Sequence, residues 1–216
     1  MTEIILVRHG QANSNAKDEA SYDRLSDLGH QQAAWLGDHM RGTNDHFDHV
    51  LTGTLTRQAD TARAMGFEIT GQDKRLNELQ YFPMAEALEK QHGTPYPQSV
   101  SDYVHHLPVL MDHWHRDLLD GIPERFSSFS TRITQLIDEL CGAHGRVLLV
   151  TSGGVIGIIM RHILALDTAA TSRVMLQIMN SSMHRLHYVH DQLMLGTFNA
   201  TPHLDAPDRA HARTFV

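Results

Sequence analysis

Two short stretches of this chain, Ile4-Ile5-Leu6-Val7 and Val147-Leu148-Leu149-Val150, are continuously apolar and show no helical period. Such runs read as strands buried on both faces, which is how parallel sheets covered by helices look in sequence. Elsewhere the period changes to that of a helix. Ala33, Leu36 and Met40 predict a helix from Gly29 to Met40, and a second is expected from Leu55 to Met65. Phe126, Phe129, Ile133, Leu136 and Leu140 keep the same spacing, with Pro123 placed to open that helix and Gly142 just past its end. An apolar helix from Val155 to Leu164 follows Ser152-Gly153-Gly154. Shorter strands are expected at Phe47 to Thr52 and Phe67 to Ile69. Met183 to Val189 and Leu193 to Phe198 suit an antiparallel hairpin across His190-Asp191-Gln192.

Three segments depart from this alternation. Gln11 to Ser26 is polar and aperiodic, a long loop over the end of the first strand, and such loops are usually functional or disordered. Met84 to Leu119 has helical character, broken by Gly93-Thr94-Pro95-Tyr96-Pro97 and interrupted at Pro108, and reads as an insertion over one sheet face. The last fifteen residues are polar and read as a loose tail.

Composition narrows the classes. A chain of 216 residues suits one large domain with a modest insertion, and 41% hydrophobic with 20% charged residues is ordinary for a globular protein. A formal charge of −7 argues against a nucleic-acid groove, yet leaves room for a small phosphorylated ligand held by a local cationic cluster. Cys141 stands alone, so no internal disulfide forms, and a reducing compartment fits. The first strand begins too early for a signal peptide, and the apolar stretch around Val155 to Met160 is too short for a membrane span, which makes the cytoplasm the default. Seventeen histidines raise the question of a metal. Their spacings do not support one: His113 and His115 point to different helix faces, and His184, His187 and His190 alternate faces of a strand. Most read as solvated surface residues.

Candidate chemistry begins at Arg8-His9-Gly10, at the carboxyl end of the first strand, where open α/β sheets place ligands. There an imidazole can act as a nucleophile, a guanidinium can grip phosphate and Gly10 permits close backbone approach. The same tripeptide, taken alone, reads rather as a solvated strand end. Four further elements follow in order: Asp23-Arg24-Leu25-Ser26-Asp27-Leu28-Gly29, then Thr54-Leu55-Thr56-Arg57-Gln58-Ala59-Asp60-Thr61-Ala62, Leu76-Asn77-Glu78 and Thr151-Ser152-Gly153-Gly154. In this order and spacing they resemble the histidine phosphatase superfamily, also called the phosphoglycerate mutase-like family, from Ile4 to about Leu204.

That resemblance implies ping-pong phosphoryl transfer, with no metal or other cofactor. His9 stands at the position of the nucleophilic histidine, and Arg8 and Arg57 at those of phosphate-gripping arginines. Two guanidiniums beside the ring would keep it unprotonated and able to attack. Glu78 matches the acid that protonates the leaving alkoxide and later activates water, a role that burial under a helical cap would assist. Gly10, Gln11, Asn15, Ser152 and Gly153 are the candidate substrate-binding residues. Without the ordered set, Arg57 reads as a helix-surface ion pair and Glu78 as a loop glutamate.

One position departs from the family pattern. Where relatives carry His-Gly-Gly, this chain has Ser152-Gly153-Gly154. A serine brings one neutral donor and no charge, and losing a preorganised donor typically costs about 2.7–4 kcal/mol in a transition state. His30, His162, His184 and His203 lie in elements near the site, but nothing in the sequence brings one into the gap. The expected fold is a three-layer α/β/α sandwich, mostly parallel with an antiparallel edge, and a helical cap from about residue 79 to 121. The expected activity is a metal-independent phosphomonoester phosphatase working through phospho-His9. A pseudo-phosphatase that binds a phosphorylated ligand, and more remotely a phosphoglycerate mutase, are the alternatives. The partner is then a small phosphorylated substrate or a phosphoprotein, with specificity assigned to the insertion from Tyr81 to Ile122, most of whose aromatics read as cap packing. Oligomeric state is left open.

Overall fold

The structure is a computed structural model that describes residues 2–14 and 16–215. Its frame is a six-stranded sheet. β1 (Thr2–Arg8), β2 (His49–Thr52), β3 (Gly71–Gln72) and β4 (Gly145–Thr151) run parallel, and β5 (Met183–Val189) and β6 (Gln192–Ala200) form the antiparallel edge. The strand order is β3-β2-β4-β1-β5-β6, so the two apolar runs lie side by side at the centre.

Alternation along those central strands divides the core. Ile4 and Leu6 of β1, with Val147 and Leu149 of β4, face one cluster; Ile5 and Val7, with Leu148 and Val150, face the other. The smaller cluster is closed by α2 (Asp27–Gly42) and α3 (Thr56–Ala64) through Ala33, Leu36, Met40 and Ala62. The larger is closed by α4 (Tyr81–His92), α5 (Val100–His115), α6 (Phe126–Cys141), α7 (Gly153–Leu164) and α8 (Thr168–Gln177). This is the three-layer α/β/α sandwich expected from the sequence, with α4 and α5 as the helical insertion. Among the described residues, no helix is long and apolar enough to cross a membrane.

Several local expectations need correction. Phe67 to Ile69 is not a strand: the edge pairing falls on Gly71 and Gln72, while Phe67 packs edge-on against Phe47. Pro108 does not interrupt its helix. α5 runs through it, because Leu107, Leu110, Met111 and Trp114 bury one face and outweigh the lost backbone hydrogen bond. α6 opens at Phe126 rather than Pro123, and α8 was not foreseen. The Gln11–Ser26 segment contains α1 (Glu19–Tyr22) and is pinned by a bridge between Ala12 and Leu25. The hairpin closes on His190 and Asp191 alone, both left-handed, a geometry that matches strand twist. The chain's last residues are no loose tail. Two 3₁₀ turns, Pro202–Leu204 and Pro207–Ala212, bury Leu204 and Ala212, and Gln32 Nε2 donates to Ala212 O and Thr214 Oγ1. Four histidines, His9, His106, His184 and His203, are buried rather than solvated.

Candidate active site

The candidate residues gather at the carboxyl ends of β1 and β4. Arg8 pairs in register with Thr151, and His9 N donates to Thr151 O, so His9 and Ser152 leave adjacent strands as neighbours. The His9 ring is 1% exposed. Its Nδ1 lies 2.7 Å from the Gly10 carbonyl, which can only accept, so Nδ1 carries the proton and Nε2 presents a lone pair. Arg57 Nε donates to that Nε2 at 3.3 Å. Burial first, then the Arg57 and Arg8 guanidiniums, hold the imidazole well below its usual pKa, so the neutral ring is the stable form.

Both arginines are fixed from outside the strand. Arg57 sits in the first turn of α3 and is buried; its backbone N and Nη1 donate to Asp23 Oδ1, and Thr56 N donates to Asp23 Oδ2. Asp23 therefore caps α3, whose own N-cap residue Leu55 has no side chain for the purpose, and orients the guanidinium at the same time. Tyr22 lies over that guanidinium, 4.9 Å from carbon to ring centroid. Arg8 Nη1 donates to the carbonyls of Ile178 and Phe215, the latter at 2.9 Å, while Arg8 Nε is buried with no partner. A side chain on Gly153 would begin 3.6 Å from that Nε, which places the free donor beside the N-terminus of α7.

Glu78 also reaches this N-terminus. Its Oε2 accepts from Gly154 N at 2.9 Å and its Oε1 from Leu79 N at 3.0 Å. A Cβ on Gly154 would fall 2.1 Å from Oε1, so only glycine admits the carboxylate there. Glu19 of α1 stands within electrostatic reach of Arg57 and Glu78, and burial raises its carboxyl pKa. Its Oε1 accepts from Phe82 N, which ties the loop to the insertion. Tyr103 of α5 feels both Arg8 and Glu78, and burial pushes its phenol up.

His9, Arg8, Arg57, Glu78, Ser152 and Gly153 thus converge at one end of the sheet. Gly10 serves a different close approach from the one expected: a Cβ there would fall 2.3 Å from Gly29 O, so it locks β1 against α2. Gln11 Oε1 accepts from Ser26 Oγ, which turns that group toward the start of α2. Asn15 lies outside the described residues. His184 and His203 are tied to Ser182 Oγ and Ser181 Oγ. Among the described residues, no group of three or more His, Cys, Asp or Glu is placed to hold a metal ion. Sequence reasoning missed Asp23, Gln58 and Glu19. Asp23 and Gln58 stood within the quoted motifs, but their partners are remote in the chain.

A buried neutral imidazole between two anchored guanidiniums, at the strand ends of an α/β/α sandwich, defines a phosphoryl-transfer type of protein. The chain belongs to the histidine phosphatase superfamily (branch 1), whose family model matches residues 4–201. A Salmonella choleraesuis protein named "Probable phosphoglycerate mutase GpmB" is 28% identical, covering 96% of this chain and 97% of its own. Among solved structures, phosphoserine phosphatase from Entamoeba histolytica with 3-phosphoglyceric acid superposes with a TM-score of 0.69 at 21% identity, over 94% of this chain and 100% of that one. Phosphoglycerate mutase from Bacillus anthracis gives a TM-score of 0.67 at 20% identity, over 94% of each chain. The relatives thus include phosphatases and mutases, and membership places this chain in that general type of activity.

Proposed function

We propose that this chain is a metal-independent phosphomonoester phosphatase that works through a phosphohistidine on His9. The observation that carries the reading is the His9 ring itself, buried, with its proton committed to Gly10 O and Nε2 left as the basic nitrogen. In the first step Arg57 Nε moves its hydrogen bond from Nε2 to a phosphoryl oxygen, the freed Nε2 lone pair attacks phosphorus in line, the P–O ester bond breaks, and Glu78 gives its proton to the departing alkoxide. In the second, Glu78 takes a proton from water, whose oxygen displaces His9 and forms inorganic phosphate. Arg8 and Arg57 stabilise the equatorial oxygens throughout, the electrostatic task on which such transfers depend. Glu78 is positioned by two backbone donors, and each carboxylate oxygen keeps a second lone-pair site for this work.

A nucleophile 1% exposed favours a small ester over a phosphoprotein. Glu19 stands within electrostatic reach of Arg57, an acidic neighbour that disfavours a second anionic group on the substrate and hence phosphoglycerate mutation. The experiment is rapid quenching with a ³²P-labelled phosphoester: label on wild type and none on His9→Ala supports the reading, and an unlabelled wild type rejects the covalent step. A second reading, a pseudo-phosphatase that binds phosphate esters without turnover, is favoured by one observation, the uncharged Ser152. Thermal stabilisation by phosphoesters with no phosphate release would establish it; turnover lost in Glu78→Gln would exclude it.

A further inference from the structure

Ser152 occupies the N-cap position of α7 but does not cap it. A serine there ordinarily accepts from an amide of the first turn. Here its side chain makes no capping bond, and the Gly154 amide goes to Glu78 instead. The hydroxyl is turned toward α3, where Gln58 Nε2 donates to Ser152 Oγ at 2.8 Å. The other hydrogen of that amide is also committed, to Leu76 O at 2.9 Å. Gln58 and Ser152 are both fully buried. Leu76 O, which also accepts from Thr151 Oγ1, is a carbonyl that can only accept, so the reversed amide, with Oε1 facing it, is unfavourable.

A hydroxyl has one proton and two lone pairs. With one lone pair taken by Gln58, the Ser152 proton is the part of the group left to act, on the residue that follows β4 in register with His9 and precedes Gly153, the neighbour of the unpartnered Arg8 Nε. We propose that Gln58 is a positioning residue of the phosphoryl site. By fixing Ser152 Oγ as an acceptor, it commits the serine proton to an oxygen of the bound phosphoryl group. The proposal rests on the phosphoryl site described under Proposed function, but not on turnover.

The test is a double-mutant cycle on Gln58→Met and Ser152→Ala, read in two ways: kcat and KM for p-nitrophenyl phosphate, and Kd for vanadate. Met keeps the length of the side chain and removes the donor. Each single variant should lower kcat, or weaken vanadate, by about 10- to 100-fold, the worth of a hydrogen bond to a charged group. The double variant should lose no more than either single. A structural role for Gln58 predicts instead that its effect persists in the Ser152→Ala background, and that additive result overturns the proposal. Should Gln58→Met fail to fold, Gln58→Leu replaces it, since it too removes the donor without adding a charge and must give the same non-additive loss. If wild type shows no turnover, the phosphatase reading fails, while the vanadate cycle still decides this one.

Discussion

At the scale of single residues, the site is a set of protons placed in advance. His9 keeps one on Nδ1 and none on Nε2, because burial and two guanidiniums oppose the imidazolium. Its pKa lies below the ordinary value of about 6.5, so kcat/KM should show no His9-linked decline between pH 7 and 6. Arg57→Ala removes one cause of the depression, and the acid limb should move upward while activity falls about 100- to 1000-fold; a limb that stays in place would contradict this electrostatic account. Gly154→Ala is a narrower probe. Its Cβ would fall 2.1 Å from Glu78 Oε1, so the carboxylate must leave the α7 amide. Steady-state assays should show kcat reduced by at least 10-fold with KM little changed, since a group acting only in the transition state is displaced. His9, Arg8, Arg57 and Glu78 were legible in sequence because each lies in a short motif at an element boundary. Their supports were not. Asp23 holds Arg57 across 34 positions, and Gln58 holds Ser152 across 94.

At the scale of elements, the strands readable in advance were those whose apolar side chains are their reason for existing. β1 and β4 are buried on both faces, and no other arrangement satisfies such runs. β3 escaped because it pairs through Gly71 and Gln72, which carry no apolar side chain, while the apolar Phe67 and Ile69 beside it pack without pairing. α5 was misread at Pro108, where tertiary burial decides against local propensity. The C-terminal segment was misjudged for the opposite reason: it is polar, and its order comes from backbone and hydroxyl contacts. Asn180 N donates to Thr214 O, Thr214 Oγ1 donates to Asn180 Oδ1, and the Asn180 side chain reaches His9 O. With Phe215 O also accepting from Arg8, this segment is part of the frame that aims the Arg8 guanidinium, the cation proposed to grip phosphate. Truncation after Ala212 should therefore raise KM for a phosphoester and weaken inorganic phosphate, by about 10-fold for one charged hydrogen bond. Calorimetric titration with phosphate checks it; unchanged affinity would make the segment a structural strap only.

At the scale of the whole molecule, the concentration of neutral imidazoles inside the core ties stability to pH. His184 and His203 are buried and held neutral, burial taking each down to about 3. His184 Nδ1 accepts from Asn199 N, and His203 bonds Ser181 Oγ, so both rings are used as uncharged hydrogen-bonding groups at the β5 end of the sheet. In the unfolded chain each recovers a pKa near 6.5. The sign follows from that difference. Above about pH 6.5 both states are unprotonated and these rings impose no penalty; as pH falls, the unfolded chain binds protons that the native fold refuses. Stability should begin to decline as pH falls through about 6.5, approach a slope of about 1.4 kcal/mol per pH unit for each ring below about pH 6, and continue down toward the folded pKa, a decline that sets in before the carboxylates titrate. Urea midpoints at pH 7, 6 and 5 measure the slope. His184→Gln, which cannot take up a proton, should fold less stably at pH 7 yet lose less between pH 7 and 5. An equal slope in wild type and variant would mean that His184 is protonated without unfolding, and that the antiparallel edge yields locally to admit the charge.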